Sequence, residues 1–281
     1  MRKRLLRAGA YFAFFILAFL FSFYLTFDPT HIIGPRLKSA MASKGLEIDF
    51  AQLDNYRLSG FSAQDVTITP IKLKTAIKID ELRARIAILP LIWGRTSYSF
   101  SARLYEGEIS GKIVESKKGL AAKLEAKKVD LSRLEVSKPD ALWVMGTLNG
   151  NADLNLTPSD DPKKWRGQIQ GGFGKGKLTS FTFQGFHLPE IQMDGLSLDL
   201  SLNSGRAEIK SLELKSPDLP LSGKGQIELR DPFLNSLIQL EAKINPSNAY
   251  LEQAPLLQAV LPPDKTIRYN ATFSALVGAG L

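Results

Sequence analysis

Leu196-Ser197-Leu198-Asp199-Leu200-Ser201-Leu202 and, after a short break, Ala207-Glu208-Ile209-Lys210-Ser211-Leu212-Glu213-Leu214 decide the fold class. Apolar and polar residues alternate in both. A period of two places successive side chains on opposite faces of an extended chain, so these are strands with one face buried and one in water. That pattern belongs to antiparallel sheets; strands of a parallel α/β core read as continuous apolar runs. The same period begins after Gly45 in Leu46, Ile48 and Phe50. It continues through Val66, Ile68, Ile71 and Leu73, then Ile77, Ile79 and Leu82, and returns in Gln226-Ile227-Glu228-Leu229. The expected architecture is mainly β: an elongated, curved antiparallel sheet with a few short helices.

A small signature, apolar then Ser or Asn then Gly, recurs at Leu58-Ser59-Gly60, Ile109-Ser110-Gly111, Leu148-Asn149-Gly150 and Leu221-Ser222-Gly223. Glycine supplies the positive φ of tight hairpins, which predicts turns at Gly60, Gly111, Gly150 and Gly223. The unequal spacings describe a meander, not a fixed-period solenoid. Helical interruptions are expected in three places. Leu89 to Gly94 is a compact apolar turn, and Pro139 to Met145, around Trp143, is a second short turn. Ser247 to Leu261 has apolar residues at helical spacing, with Pro255 placed to kink or split it. Ser159 to Lys164 reads as a linker between two β lobes near 158–164 or as one hairpin loop. Lys117-Lys118 and Lys127-Lys128 read as charges that protect strand edges, or as a docking patch.

The chain has 281 residues and a formal charge of +8. Four of its 36 cations, Arg2, Lys3, Arg4 and Arg7, precede a charge-free run from Ala8 to Phe27. Twenty helical residues span about 30 Å, the thickness of a hydrocarbon core. The run is longer than a signal-peptide core and exits with no small-x-small cleavage pair. It is therefore expected to be a single transmembrane signal anchor, with residues 1–7 cytoplasmic and the bulk across the inner membrane, in the periplasm. The expected organisation is 1–27 basic tip and anchor, 28–45 juxtamembrane helix and 46–281 periplasmic β-rich domain. Pro35 suits the first turn of that helix, Gly45 its end, and Leu37 and Met41 its apolar face. The exported region then holds 32 cations against 28 acids, too even a balance for nucleic-acid binding.

Chemistry-bearing motifs are scarce. The chain has no cysteine and two histidines, His31 and His187, which removes thiol catalysis and Cys-ligated metals. Gly171 to Lys177 approaches a phosphate-binding loop, but Leu178 stands where a hydroxyl is required and the alternating Thr179 to Phe183 follows where a helix should open. A glycine-rich strand or hairpin is expected there. Neither histidine has a second ligand nearby, and Asp153, Asp160 and Asp161 read as solvated loop residues. No catalytic, metal or cofactor residue is assigned, and the chain is not expected to be an enzyme.

The tail from Leu219 to Pro246 (LPLSGKGQIELRDPFLNSLIQLEAKINP), with a closing strand at Thr266 to Leu276, resembles the type II secretion system protein N family, in particular its deltaproteobacterial-like branch. Leu58 to Ile68 is similar to that family's opening and to the start of AsmA-like proteins. The first resemblance implies an inner-membrane component that scaffolds protein export through contact with the secretin or the platform proteins, with no catalytic residues. The second implies lipid binding or transfer, with phospholipid as a partner in an apolar β groove.

Overall fold

The computed structural model describes residues 33–43, 45–57, 59–70, 76–91, 93–117, 119–134, 143–156, 161–179, 182–183, 186–230 and 235–272. The four N-terminal cations and the apolar run 8–27 lie outside them. Among the described residues no helix is long and apolar enough to cross a membrane.

Alternation translates into strands along almost the whole described chain. They are Leu46–Asp49 (β1), Gln52–Tyr56 (β2), Gly60–Pro70 (β3), Ile77–Ala87 (β4), Thr96–Leu104 (β5), Gly107–Ser116 (β6), Gly119–Asp130 (β7), Trp143–Leu156 (β8) and Arg166–Thr179 (β9). There follow Thr182–Phe183 (β10), Phe186–His187 (β11), Ile191–Met193 (β12), Gly195–Asn203 (β13), Arg206–Lys215 (β14), Leu221–Glu228 (β15), Leu237–Ile244 (β16) and Thr266–Thr272 (β17). All except β10 and β11, which form a separate pair, join one 15-stranded sheet in the order β1-β3-β4-β5-β6-β7-β8-β9-β13-β14-β15-β16-β17. The short strand β2 lies on β3, and β12 on β9. Every pairing is antiparallel.

Three apolar clusters line the sheet. One gathers Ile48, Leu53, Ala63, Val66 and Ile79 under the helix Ile33–Ala42 (α1), through Leu37 and Met41. Gly45, at φ 76°, ends that segment, and its N–H donates to the Ala42 carbonyl at 3.0 Å. A second gathers Ile191, Met193, Leu214 and Ile244 with Tyr250, Ala254 and Leu257. Tyr250 and Leu257 come from two short helices, Asn248–Gln253 (α3) and Pro255–Val260 (α4), split where Pro255 was expected to interrupt, and Ala254 is the junction between them. The third, around Leu200, Leu202, Ala207 and Ile209, includes no helix residue.

Several sequence expectations need correction. Gly111, Gly150 and Gly223 lie inside β6, β8 and β15, not in turns, and Gly60 opens β3 opposite Tyr56. The reason is periodic: Ile109, Gly111 and Ile113 occupy one face, so a glycine that looks like a break merely fills a place in the alternation. The hairpin bends are made elsewhere, by Tyr105 and Glu106 (φ 51° and 61°) between β5 and β6, and by Ser204 and Gly205 (φ 50° and 80°) between β13 and β14. Of the two readings of Ser159 to Lys164 the register agrees with the hairpin loop: β8 and β9 pair from Asn155↔Arg166 to Trp143↔Thr179, 157–160 lie outside the described residues, and Pro162–Lys164 is a 3-10 turn in the connection. Of the turn expected over Pro139 to Met145, 139–142 lie outside the described residues and Trp143 to Met145 is strand. Lys127 and Lys128 protect no edge, because β7 lies between β6 and β8; they form a bulge where the register shifts between Ala126 and Val129.

Strand glycines also allow close approach of backbones. A Cβ at Gly176 would sit 1.8 Å from the Met145 carbonyl oxygen, whereas one at Gly174 would meet nothing nearer than Thr147 at 3.8 Å. Gly176→Ala is expected to destabilise the sheet by about 2 kcal/mol or more, and Gly174→Ala to cost well under about 1 kcal/mol. Urea unfolding midpoints of the two variants measure the contrast.

Candidate functional site

The register carries apolar residues onto one face across the sheet. From β16 to β3, one line of directly paired positions reads Leu240, Gly225, Ile209, Leu200, Ile169, Ala152, Leu124, Gly111, Phe100, Ala84 and Phe61. The next line, one pleat toward the strand ends, reads Ile238, Ile227, Ala207, Leu202, Gly167, Leu154, Ala122, Ile113, Tyr98 and Ile86. Neither line contains a charged side chain. Glu115 and Thr96 end the face along β5 and β6.

The expected turn glycines belong to this surface. Gly111, Gly150 and Gly223 lie on it, beside Gly167, Gly171 and Gly225. At Gly111 a Cβ would fall 2.6 Å from the Phe100 ring and 2.7 Å from Leu124, so those two side chains lean over the glycine. The glycines thin the floor, and their neighbours fill part of the space. Gly60 is the exception, since its direct partner is Arg85, on the polar side.

Among the described residues the helices pack at the two ends of the face, α1 in the first cluster and α3 with α4 in the second. Between them Phe100, Ile113, Leu124, Leu154 and Ile169 are only half-buried. Exposure rises at one rim, to 38% at Tyr98 and 39% at Ile86. Beyond them the one-turn helix Ile88–Leu91 (α2) and Trp93 are more open still.

The opposite face is polar and internally paired. Lys123 meets Asp153 at 2.7 Å, Gln170 donates to Asp199 at 3.1 Å, and Gln226 donates to Gln239 at 2.5 Å. Glu81 lies between Arg83 at 2.5 Å and Arg103 at 2.6 Å. Burial pushes its carboxyl up, but the Arg83 hydrogen bond, the two guanidinium charges and the Ser62 hydroxyl together hold it below the ordinary carboxylate range. A concavity of about 780 Å³ on this side runs from β13 to β17 and mixes Arg206, Lys210, Lys224 and Arg268 with Glu208 and Glu241. Its side chains form cross-strand ladders and do not converge on one point. Among the described residues no group of His, Asp or Glu could hold a metal ion.

Arg2, Lys3, Arg4 and Arg7 lie outside the described residues, as does His31; His187 is in β11. Two features escape a sequence reading. Continuity of the apolar face depends on register between strands, which no single segment carries. The exposure of α2 was also hidden: Leu89 to Gly94 was legible as a break in alternation, but nothing there distinguishes an open apolar turn from a packed one.

At the far end the Tyr250 hydroxyl donates to the Pro189 carbonyl at 3.1 Å and ties α3 to the segment before β12. Burial, with the Asp218 carboxylate adding to it, pushes this phenol up to about 12. The folded value exceeds the unfolded one of 10.0, so the neutral hydroxyl's contribution is complete below that pH and is lost as pH rises toward 12. Tyr250→Phe is expected to cost about 1 kcal/mol at neutral pH. It should also flatten the loss of stability across that alkaline window, as followed by urea unfolding at stepped pH.

Compared with known proteins, the chain matches no family model, no curated sequence and no solved fold.

Proposed function

We propose that this chain binds the acyl chains of phospholipid along its apolar sheet face, as a membrane-anchored, periplasmic lipid-handling protein. One observation carries the reading: on β5 to β9 the apolar lines stay half-buried at Phe100, Ile113, Leu124, Leu154 and Ile169, before they close over at Leu200, Leu202, Ala207 and Ile209 in β13 and β14, and the helices α1, α3 and α4 join only the first two clusters. Soluble monomers rarely leave contiguous apolar surface of more than a few hundred Å² uncovered. Each methylene buried there gains about 0.8 kcal/mol, so a chain of about a dozen offers on the order of 10 kcal/mol before the costs of ordering. A row of alternating small and large residues without charges accepts a flexible hydrocarbon at many registers, which suits holding or passing lipid better than selecting one head group. In this reading 8–27 is the anchor, and Arg2, Lys3, Arg4 and Arg7 orient it.

The scaffolding role in type II secretion is the second reading, supported by the tail resemblance and by the outer edge of β17. That strand pairs with β16 on one side and with no other described strand. An unpaired edge is what strand addition by a secretin or platform protein would use. Unchanged protein export in a clean deletion strain would count against it.

A photoreactive phenylalanine analogue at Leu124 or Ile169 of the full chain, irradiated in cells with labelled phospholipid, is expected to yield lipid adducts. The same group at Lys123, on the opposite face, is expected to yield none. Adducts at all three positions, or at none, would overturn the lipid reading. Ile113→Glu should lower capture at Leu124 about tenfold, because an unpaired charge on the apolar floor opposes a hydrocarbon guest.

A further inference from the structure

We infer that the β4–β5 connection is a membrane-contact tip that inserts into an anionic phospholipid surface. Ile88, Leu89, Leu91 and Trp93 are 51%, 68%, 47% and 72% exposed, the densest run of open apolar side chains among the described residues. The Ile86–Tyr98 pair at its base is 39% and 38% exposed. Such a cluster costs free energy in water and gains it in the interfacial region of a bilayer, where an indole ring is at its most favourable.

The backbone holds the cluster in place. Trp93 N–H donates to the Pro90 carbonyl at 3.1 Å, Gly94 N–H to that of Leu91 at 3.0 Å, and Arg95 N–H to that of Pro90 at 3.1 Å. Gly94, at φ 65°, closes the turn. The apolar side chains are thus presented from a hydrogen-bonded tip.

Charge selects the partner. The tip is flanked by exposed Arg85 and Arg95, by Arg57 in the β2–β3 turn and by Lys117 in the β6–β7 turn. The β2–β3 turn is joined to the base of the tip by Ile86 N–H donating to the Ser59 carbonyl at 3.1 Å. Lys117 follows the end of β6, whose Glu115 lies opposite Thr96. Glu115 is the lone acid among the described residues of these turns and adjoining strand ends. None of the four cations has an ion-pair partner among the described residues. Arg85 donates to the Ser99 hydroxyl at 2.9 Å and Arg57 lies over the Tyr56 ring at 5.4 Å, and both leave the charge open. An apolar plug in a cationic collar matches acyl chains beneath phosphate head groups. The position of α1, just after the expected anchor, agrees. β1 pairs with the Thr67–Pro70 end of β3, beside the start of β4, but α1 runs back along the strands, so that Gly34 lies against Phe50 and Leu53, and Leu53 is level with Ala63 and Leu82, toward the tip end of β4. This inference rests on the tip and its collar and stands whether or not the sheet face holds lipid.

The test uses Trp93 as the reporter. The full chain, with Trp143→Phe and Trp165→Phe so that Trp93 is the sole indole, is reconstituted into phosphatidylcholine vesicles with or without phosphatidylglycerol, in which the phosphatidylcholine carries brominated acyl chains. The expected result is a blue shift and loss of Trp93 emission in anionic vesicles, weaker in zwitterionic ones and weakened by raised salt. Replacing Arg57, Arg85, Arg95 and Lys117 by Gln should restore the emission. If the double-Phe chain fails to fold, the difference in bromine quenching between the natural chain and Trp93→Phe gives the same reading. Emission untouched by brominated lipid in an anchored chain overturns the inference and leaves the tip to a protein partner. Quenching indifferent to phosphatidylglycerol and to the four substitutions overturns the anionic assignment.

Discussion

Register is the constraint on which the rest of this structure depends. Because side chains alternate, a slip of one residue in any strand would turn its apolar set to the polar face. The sheet has to preserve phase through many consecutive pairings, and it does so with bulges. Ile209 and Leu212, three apart, lie on one face because the register of β14 shifts between them against β15. Ala126 and Val129 share a face through the equivalent shift in β7, where Lys127 and Lys128 take up the extra residue. Lys128 adopts φ 52° there and its N–H finds the Asn149 side chain at 2.9 Å. Each bulge corrects the count, and the apolar lines run on.

Much of this was written locally and only the sum was not. Period two in Leu196 to Leu202 and Ala207 to Leu214 announced antiparallel strands with one wet face. Pro255 announced a broken helix, and Gly45 the end of the first one. The errors have one physical source. A glycine in a strand and a glycine in a turn look alike in sequence, because both interrupt a run of side chains. Gly111 and Gly150 are strand residues, the first under the Phe100 and Leu124 side chains and the second against the backbone of Gln170 and Gly171, while the bend between β5 and β6 falls on Tyr105 and Glu106, two residues with no intrinsic liking for positive φ. Tertiary pairing imposes that conformation; local preference does not.

The apolar face was legible only in halves. Alternation says that one side of a strand avoids water, and it is silent on whether helices, another sheet or a guest provides the cover. Here α1, α3 and α4 cover the two ends, and the middle is left to its own side chains. The polar side, by contrast, is settled within the chain, since pairs such as Lys123 with Asp153 and Gln170 with Asp199 neutralise it rung by rung. Among the described residues the uncovered hydrophobic area is concentrated on one surface and at one rim.

The meander has a consequence for how such a chain grows and changes length. Along most of the sheet each strand is bonded to the one made just before it, so contacts are local and a new hairpin can lock onto the last as the polypeptide emerges. No distant segment has to wait for its mate. A hairpin added or deleted in the middle, with phase kept, lengthens or shortens the apolar lines by about 10 Å and leaves both capped ends intact. The molecule is extensible in the way a zip fastener is: its span is a count of repeated closures, open to adjustment without redesign of either terminus.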